Sequence, residues 1–93
     1  MKRKVTLNEL VDNGLLNEGD IIFHHLFHKH KISGRISAEG TIILENGINK
    51  KTPSEAAKYL VSYDVNGWTW WNVKKNGETC TLDALRRIYF KEF

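Results

Sequence analysis

The chain has 93 residues, of which 41% are hydrophobic and 27% are charged, and its formal net charge is +3. This composition is typical of one folded domain and not of a disordered segment, and no apolar run approaches the roughly 20 residues that cross a bilayer. The single cysteine, Cys80, excludes a disulfide within the chain and favours a reducing compartment, so the cytoplasm is the expected location.

Three segments carry signals for the start of a helix. Each begins with a threonine ahead of an apolar stripe, and the predicted helices run from Thr6 to about Gly14, from Thr52 to about Ser62, and from Thr81 through Arg86 and Arg87. In the first two, Glu9 and Glu55 follow the threonine at capping-box spacing. Gly14 stands where a C′ glycine ends a helix, and Pro53 occupies the first helical position.

Strand-like runs lie between and after these helices. They are predicted at Asp20–Phe27, Lys31–Ser37, Thr41–Leu44 and Thr69–Lys74. Short connections favour antiparallel pairing. The expected architecture is a small single α+β domain, with an antiparallel sheet of about four strands and three helices, in the order helix, three-strand meander, helix, strand, helix. Residues 1–4 are expected to form a flexible basic arm, and residues 5–93 the domain.

Four histidines crowd into one short segment and raise the question of a metal site. They are His24, His25, His28 and His30. Zinc sites need three or four ligands on one side, whereas strand alternation separates His24 from His25, and no Asp, Glu or Cys is near. We therefore expect no metal and no cofactor. A set of nucleophile, base and orienting group is not visible either, so the chain is not expected to be an enzyme.

All three tryptophans lie in one run directly after an Asn-Gly pair. Asn66-Gly67 predicts a tight turn with positive φ, followed by a strand that places Trp68 and Trp70 on one face and Trp71 on the other. No acidic residue lies between residues 65 and 77, and Lys74 and Lys75 follow the tryptophans.

This aromatic and basic stretch has two interpretations. Aromatic faces beside lysines suit base stacking with phosphate contact, with Trp68, Trp70 and Tyr63 as walls of an apolar pocket. The alternative is that all three tryptophans pack in the core. Asn66 likewise either adopts the turn conformation or bonds an adenine edge through its amide.

An ordered set of motifs resembles the RAMA domain, which is named for its association with restriction enzymes and adenine methylases. The set comprises Leu10–Asp20, Glu39-Gly40, Ser54–Ala57, Asn66–Trp71 and Thr81–Arg86. The resemblance extends from about Val5 to Glu92. It implies a role in DNA binding, as in the C-terminal extensions of DNA adenine N6-methyltransferases, and it implies that Ser54, Asn66, Trp68 and Arg86 contribute to that binding.

The resemblance and the residues together predict a DNA-binding module of a restriction–modification or adenine-methylation system. Recognition of N6-methyladenine in DNA is its more specific form. The predicted site comprises Ser54, Asn66, Trp68, Trp70, Lys74, Lys75 and Arg86. The expected partners are double-stranded DNA, including DNA with an unpaired or methylated adenine, a methyltransferase or nuclease domain, and a second copy of the chain; no membrane is expected. The alternative is a protein-interaction or dimerisation domain without direct DNA readout.

Overall fold

The computed structural model describes residues 5–25 and 31–92. Four helices and six strands occur in this part of the chain, which confirms the expected α+β class. In chain order they are α1 (Leu7–Asp12), β1 (Ile21–His25), β2 (Lys31–Ile36), β3 (Ile42–Leu44), β4 (Asn49–Lys50), α2 (Pro53–Val61), α3 (Gly67–Trp70), β5 (Asn72–Lys75), β6 (Glu78–Thr81) and α4 (Leu82–Glu92). None of the helices in the described ranges combines the length and the apolar character that crossing a membrane requires.

The strands form one antiparallel sheet in the order β4-β3-β2-β1-β5-β6. The expected meander of the first three strands is confirmed. The expected count of about four strands and three helices is wrong, because β4, β6 and the short helix α3 were not predicted. β4 has only two residues, and β6 follows β5 across the tight turn Asn76-Gly77, so neither strand carries a long alternating pattern of its own.

The two faces of the sheet differ in what covers them. The core face carries buried apolar side chains that share one cluster with residues of α1, α2 and α4. From the strands these side chains are Ile22, Ile36, Ile42, Leu44 and Val73. Alternate residues point the other way and form what we call the open sheet face. By strand register it comprises Ile21, Phe23, His25, Lys31, Ser33, Arg35, Ile43, Asn72 and Lys74.

The three predicted helix starts are confirmed. The hydroxyls of Thr6, Thr52 and Thr81 each accept a backbone N–H from three residues further on, at 3.3, 3.1 and 3.1 Å. Each threonine satisfies one of the N–H groups that the first turn of a helix leaves without an intrahelical partner. Gly14, just past α1, has φ +79, as expected for a residue in the left-handed region that ends a helix.

The expected strand from Thr69 to Lys74 is wrong at its start. Residues 67–70 form α3, and strand pairing begins only at Asn72. Asn66 has φ −83 and caps this helix, so it does not take the positive φ of a tight turn. Consequently the three tryptophans do not alternate across a sheet, and their roles are set by the turn of a helix.

Several sequence expectations concern residues outside the described ranges. They are the basic arm at residues 1–4, the end of the first predicted strand at residues 26–27, and the two histidines His28 and His30. Within the described ranges, the first two strands end at His25 and Ile36, close to their predicted bounds.

Candidate nucleic-acid interface

Helix α3 lies directly against the N-terminus of α2. A Cβ atom at Gly67 would overlap the backbone of Pro53 and Ser54, so the approach requires glycine. The Gly67 N–H donates a hydrogen bond to Ser54 Oγ at 2.9 Å. The indole Nε1–H of Trp71, which is fully buried, donates to the carbonyl oxygen of Pro53 at 3.0 Å. These contacts fix α3 to the start of α2 and satisfy the buried indole donor.

Asn66 controls the orientation of the residues that follow it. Its Oδ1 accepts the backbone N–H of Trp68 at 3.1 Å, and its carbonyl oxygen accepts the N–H of Trp70 at 3.0 Å. Asn66 is therefore the N-cap of α3, a position that favours asparagine. A contact from its amide to an adenine edge stays a prediction.

Trp68 and Arg86 bring α3 and α4 together. The Arg86 guanidinium carbon lies 4.6 Å from the centroid of the half-buried Trp68 ring, which is a cation–π geometry. Arg86 Nε and Nη2 donate to Asp83 Oδ1 at 3.1 and 2.5 Å, and Arg87 Nε donates to Oδ2 of the same carboxylate at 3.0 Å. Because two arginines share one carboxylate, this part of α4 keeps a net positive charge.

Trp68 and Arg86 line a cleft of about 440 Å³. Its other walls come from the start of α1, the turn between β2 and β3, and the residues that lead into α2. These wall residues are Val5, Thr6, Leu7, Asn8, Glu39, Gly40, Thr41, Lys51, Thr52 and Pro53. The volume is within the range of about 300–1,000 Å³ that is usual for small-molecule sites, so one planar base fits.

The wall opposite α3 is held by a contact between α1 and the β2–β3 turn. Asn8 Nδ2 donates to the carbonyl oxygen of Glu39 at 3.0 Å. Gly40 has φ +80, and a Cβ atom there would overlap the backbone of Asn8. This second glycine contact builds the cleft in the same way that Gly67 does on the other side.

The cleft combines an apolar interior with cationic groups at its lining. Val5 and Leu7 are buried core residues, and Pro53 is fully buried. Lys51 and Arg86 supply two positive charges, and Glu39 supplies one negative charge. This arrangement can receive a flat apolar or aromatic group against Trp68 and an anion beside Arg86.

Five of the seven predicted site residues are not part of the cleft lining: Ser54 and Asn66, which hold α3, and Trp70, Lys74 and Lys75. Trp70 stacks on His24, with ring centroids 3.8 Å apart and an interplanar angle of 14°. Lys75 forms an ion pair with Asp20, and both side chains are about three-quarters covered. Lys74 is exposed and belongs to the open sheet face. The structure thus brings Trp68 and Arg86 together at the cleft, with Ser54 and Asn66 as their supports.

The other sequence candidates divide similarly. Tyr63 is 59% exposed and does not line the cleft. Trp71 is fully buried, as the interpretation of the tryptophans as core residues expects. His24 Nδ1 donates to the Trp70 carbonyl oxygen at 2.8 Å, and its neighbour His25 belongs to the open sheet face. Across residues 5–25 and 31–92, no group of three or more His, Cys, Asp or Glu side chains is arranged to hold a metal ion.

Sequence reasoning missed most of the cleft walls. Leu7, Asn8 and Lys51 were not singled out, and Glu39-Gly40 was recognised only as a turn. Their proximity depends on how α1 packs against a turn 31 residues away, which no local pattern encodes. The local signals were the two helix starts at Thr6 and at Thr52-Pro53, which also line the cleft.

Comparison with protein-family models matches the chain to the family described as Restriction Enzyme Adenine Methylase Associated, or RAMA. The match covers residues 1–93, the full length of the chain. The motif resemblance described above had covered nearly the same span, and two of the residues that it implicates, Trp68 and Arg86, line one cleft. The chain therefore belongs to the RAMA family, whose members are associated with restriction enzymes and adenine methylases.

Proposed function

We propose that this RAMA domain is a DNA-binding module of a restriction–modification or adenine-methylation system, and that the cleft is its DNA contact. The observation that carries the proposal is the Arg86 guanidinium held over the Trp68 indole at 4.6 Å. A positioned arginine donates to phosphate or to a base edge, and an indole offers a face for base stacking. Both occur here in one cleft that is lined by apolar side chains.

The chemistry of the walls favours a nucleobase over a simple anion. The partly exposed Trp68 ring offers an apolar surface, with the buried side chains of Val5, Leu7 and Pro53 behind the lining, and Lys51 adds a second cation. A methyl group on adenine N6 would gain from such a surface, because apolar area removed from water contributes about 25 cal/mol per Å². Recognition of N6-methyladenine is the finer form of this proposal.

The predicted site residues then divide into two roles. Trp68 and Arg86 contact DNA, while Ser54 and Asn66 act as positioning residues that hold α3. Trp70 supports α3 through its stack on His24. Lys74, on the open sheet face, and Lys75, in an ion pair with Asp20, lie away from the cleft and take neither role.

The family's association with restriction enzymes and adenine methylases supports a partner of that kind. In this proposal the chain supplies DNA binding, and a methyltransferase or nuclease domain supplies catalysis. The cytoplasm, where such systems meet DNA, is the proposed location.

The direct test compares two neighbouring arginines. Arg86 and Arg87 lie on one helix and share Asp83, but of the two only Arg86 lines the cleft. Fluorescence anisotropy with a labelled duplex, with and without N6-methyladenine, would measure the affinity of the wild type, Arg86→Gln and Arg87→Gln. We expect Arg86→Gln to weaken binding by about tenfold, as is typical for loss of one charge-assisted contact, and Arg87→Gln by less than about threefold.

Equal losses of affinity in the two variants would contradict the proposal, because they would show that both arginines act only through their charge and not through a contact at the cleft. Undetectable duplex binding by the wild type at low salt would contradict it outright, because phosphate contacts are strongest there. A methylated duplex that binds no more tightly than the unmethylated one would remove only the finer form.

Protein interaction is the second candidate, and one observation favours it. Ile88 and Phe90 on α4 are 44% and 51% exposed. Large exposed apolar side chains suit a protein interface, including one between two copies of the chain. Light scattering with and without DNA tests this by measuring the molar mass. A dimer that dissociates in Ile88→Lys, and whose molar mass does not change when DNA is added, would favour protein interaction over DNA binding.

A further inference from the structure

The open sheet face carries features that the cleft does not use. It lies across the sheet from the core cluster to which α1, α2 and α4 contribute, so it is separate from the cleft. Ile21, the first residue of β1, is 51% exposed. Beside Ile21 lies a shallow depression of about 280 Å³, lined among others by Ser33, Arg35 and Ile43.

The charges on this face are mainly positive. Lys31 and Arg35 project from β2, and Lys74 projects from β5, on the other side of β1. All three residues are exposed. The acidic residue at the depression, Glu45, accepts a hydrogen bond from the Ser33 hydroxyl at 2.6 Å. Neighbouring strands are about 4.8 Å apart, so the cations of β2 and the cation of β5 lie about 10 Å or more apart across β1.

An aromatic side chain lies among these cations. Phe23, on β1, is partly exposed, and the Lys31 ammonium lies 5.0 Å from its ring centroid. The His25 ring meets Phe23 edge to face at a centroid distance of 5.6 Å. A ring on a flat, open sheet with lysines on both sides can stack an unpaired base while the lysines contact its phosphates.

We propose that the open sheet face binds single-stranded nucleic acid as a second site, distinct from the cleft. The positive charge selects a polyanion, and the placement of Phe23 between Lys31 and Lys74 selects one whose bases are unpaired. A base-paired duplex keeps its base faces stacked inside and cannot use the ring. An acidic protein segment matches the charge but not the stacking surface, so the test includes competition by an acidic polypeptide.

The test uses charge reversal on this face against a matched control. Labelled oligothymidylate is titrated into Arg86→Gln protein, in which cleft binding is reduced, with and without Lys31→Glu plus Lys74→Glu. The control pair, Lys58→Glu plus Lys91→Glu, changes the net charge of the protein by the same amount, but at exposed positions on α2 and α4. We expect the sheet pair to weaken binding by at least tenfold more than the control pair.

A second variant tests stacking without changing charge. Phe23→Leu keeps an apolar side chain on β1, and we expect it to weaken oligothymidylate binding by about fivefold or more. Circular dichroism checks that each variant is folded. Equal losses for the sheet and control pairs would overturn the proposal, as would an unchanged affinity of Phe23→Leu. Displacement of the oligonucleotide by polyglutamate at equal charge concentration would also overturn it, in favour of an acidic peptide.

The proposal does not depend on the cleft. Duplex binding that responds to Arg86→Gln, with single-strand binding that does not respond to the sheet variants, would support the cleft and remove the second site. Single-strand binding that responds to the sheet variants, with duplex binding that does not respond to Arg86→Gln, would support the second site and remove the cleft.

Discussion

At the scale of single residues, the signature of this domain works chiefly through backbone contacts. Gly67 lets α3 touch the backbone of α2, Ser54 accepts the Gly67 N–H, and Trp71 donates its indole N–H to the Pro53 carbonyl oxygen. Ser54, which the family resemblance implicates in DNA binding, therefore has a structural role in fixing α3 to α2.

Substitution of Gly67 tests this contact. We expect Gly67→Ala to lower the free energy of unfolding by about 3 kcal/mol, because the added methyl group would meet backbone atoms that cannot rotate away. Gly47→Ala is the control: φ is +86 there and nothing lies within 4 Å, so only backbone strain of about 1–2 kcal/mol is expected. Urea denaturation measures both, and a loss for Gly67→Ala no larger than that for Gly47→Ala would contradict the contact.

The cysteine offers a second test at this scale. Burial raises the pKa of the Cys80 thiol, and the nearby charge of Lys75 opposes the shift while that of Glu78 adds to it. The thiolate is the reactive form, so a raised pKa means slow alkylation near neutral pH. We expect iodoacetamide to react faster with Glu78→Gln and more slowly with Lys75→Gln than with the wild type, as followed by mass spectrometry. A reversed order would contradict the electrostatic account.

At the scale of elements, α3 shows where sequence patterns stop being informative. Asn-Gly before aromatic and β-branched residues predicts a turn and a strand, yet residues 66–70 form a capped helical turn. A four-residue helix is too short to carry a helical period, and its stability comes from the contacts with α2. The three helices that begin with a threonine cap were predictable, because a cap is a local signal.

The capping role of Asn66 can be separated from a direct DNA contact. Serine caps a helix about as well as asparagine but has no amide, whereas alanine cannot cap. If Asn66 acts as a positioning residue, Asn66→Ser should bind duplex DNA within about twofold of the wild type. Asn66→Ala should lose about 1 kcal/mol of stability and weaken binding with it. A strong loss of binding in Asn66→Ser at unchanged stability would instead show that the amide contacts DNA.

At the scale of the whole molecule, the sheet separates a cleft between helices from an open sheet face. The α+β class and the meander were predictable from turns and alternation. The cleft was not, because its walls come from five separate places in the chain: residues 5–8, 39–41 and 51–53, together with Trp68 and Arg86. Trp68 and Arg86 were predicted individually through family resemblance, but their contact at 4.6 Å depends on how α3 and α4 pack.

The most direct measurement of the central claim is an NMR titration that follows the three indole N–H signals as duplex DNA is added. Trp68 lines the cleft, Trp71 is fully buried with its N–H on the Pro53 carbonyl oxygen, and Trp70 stacks on His24. We predict that the Trp68 signal shifts most, that the Trp71 signal shifts least, and that Arg86→Gln suppresses the Trp68 shift. A titration in which DNA binds and the Trp68 signal does not move would contradict the account.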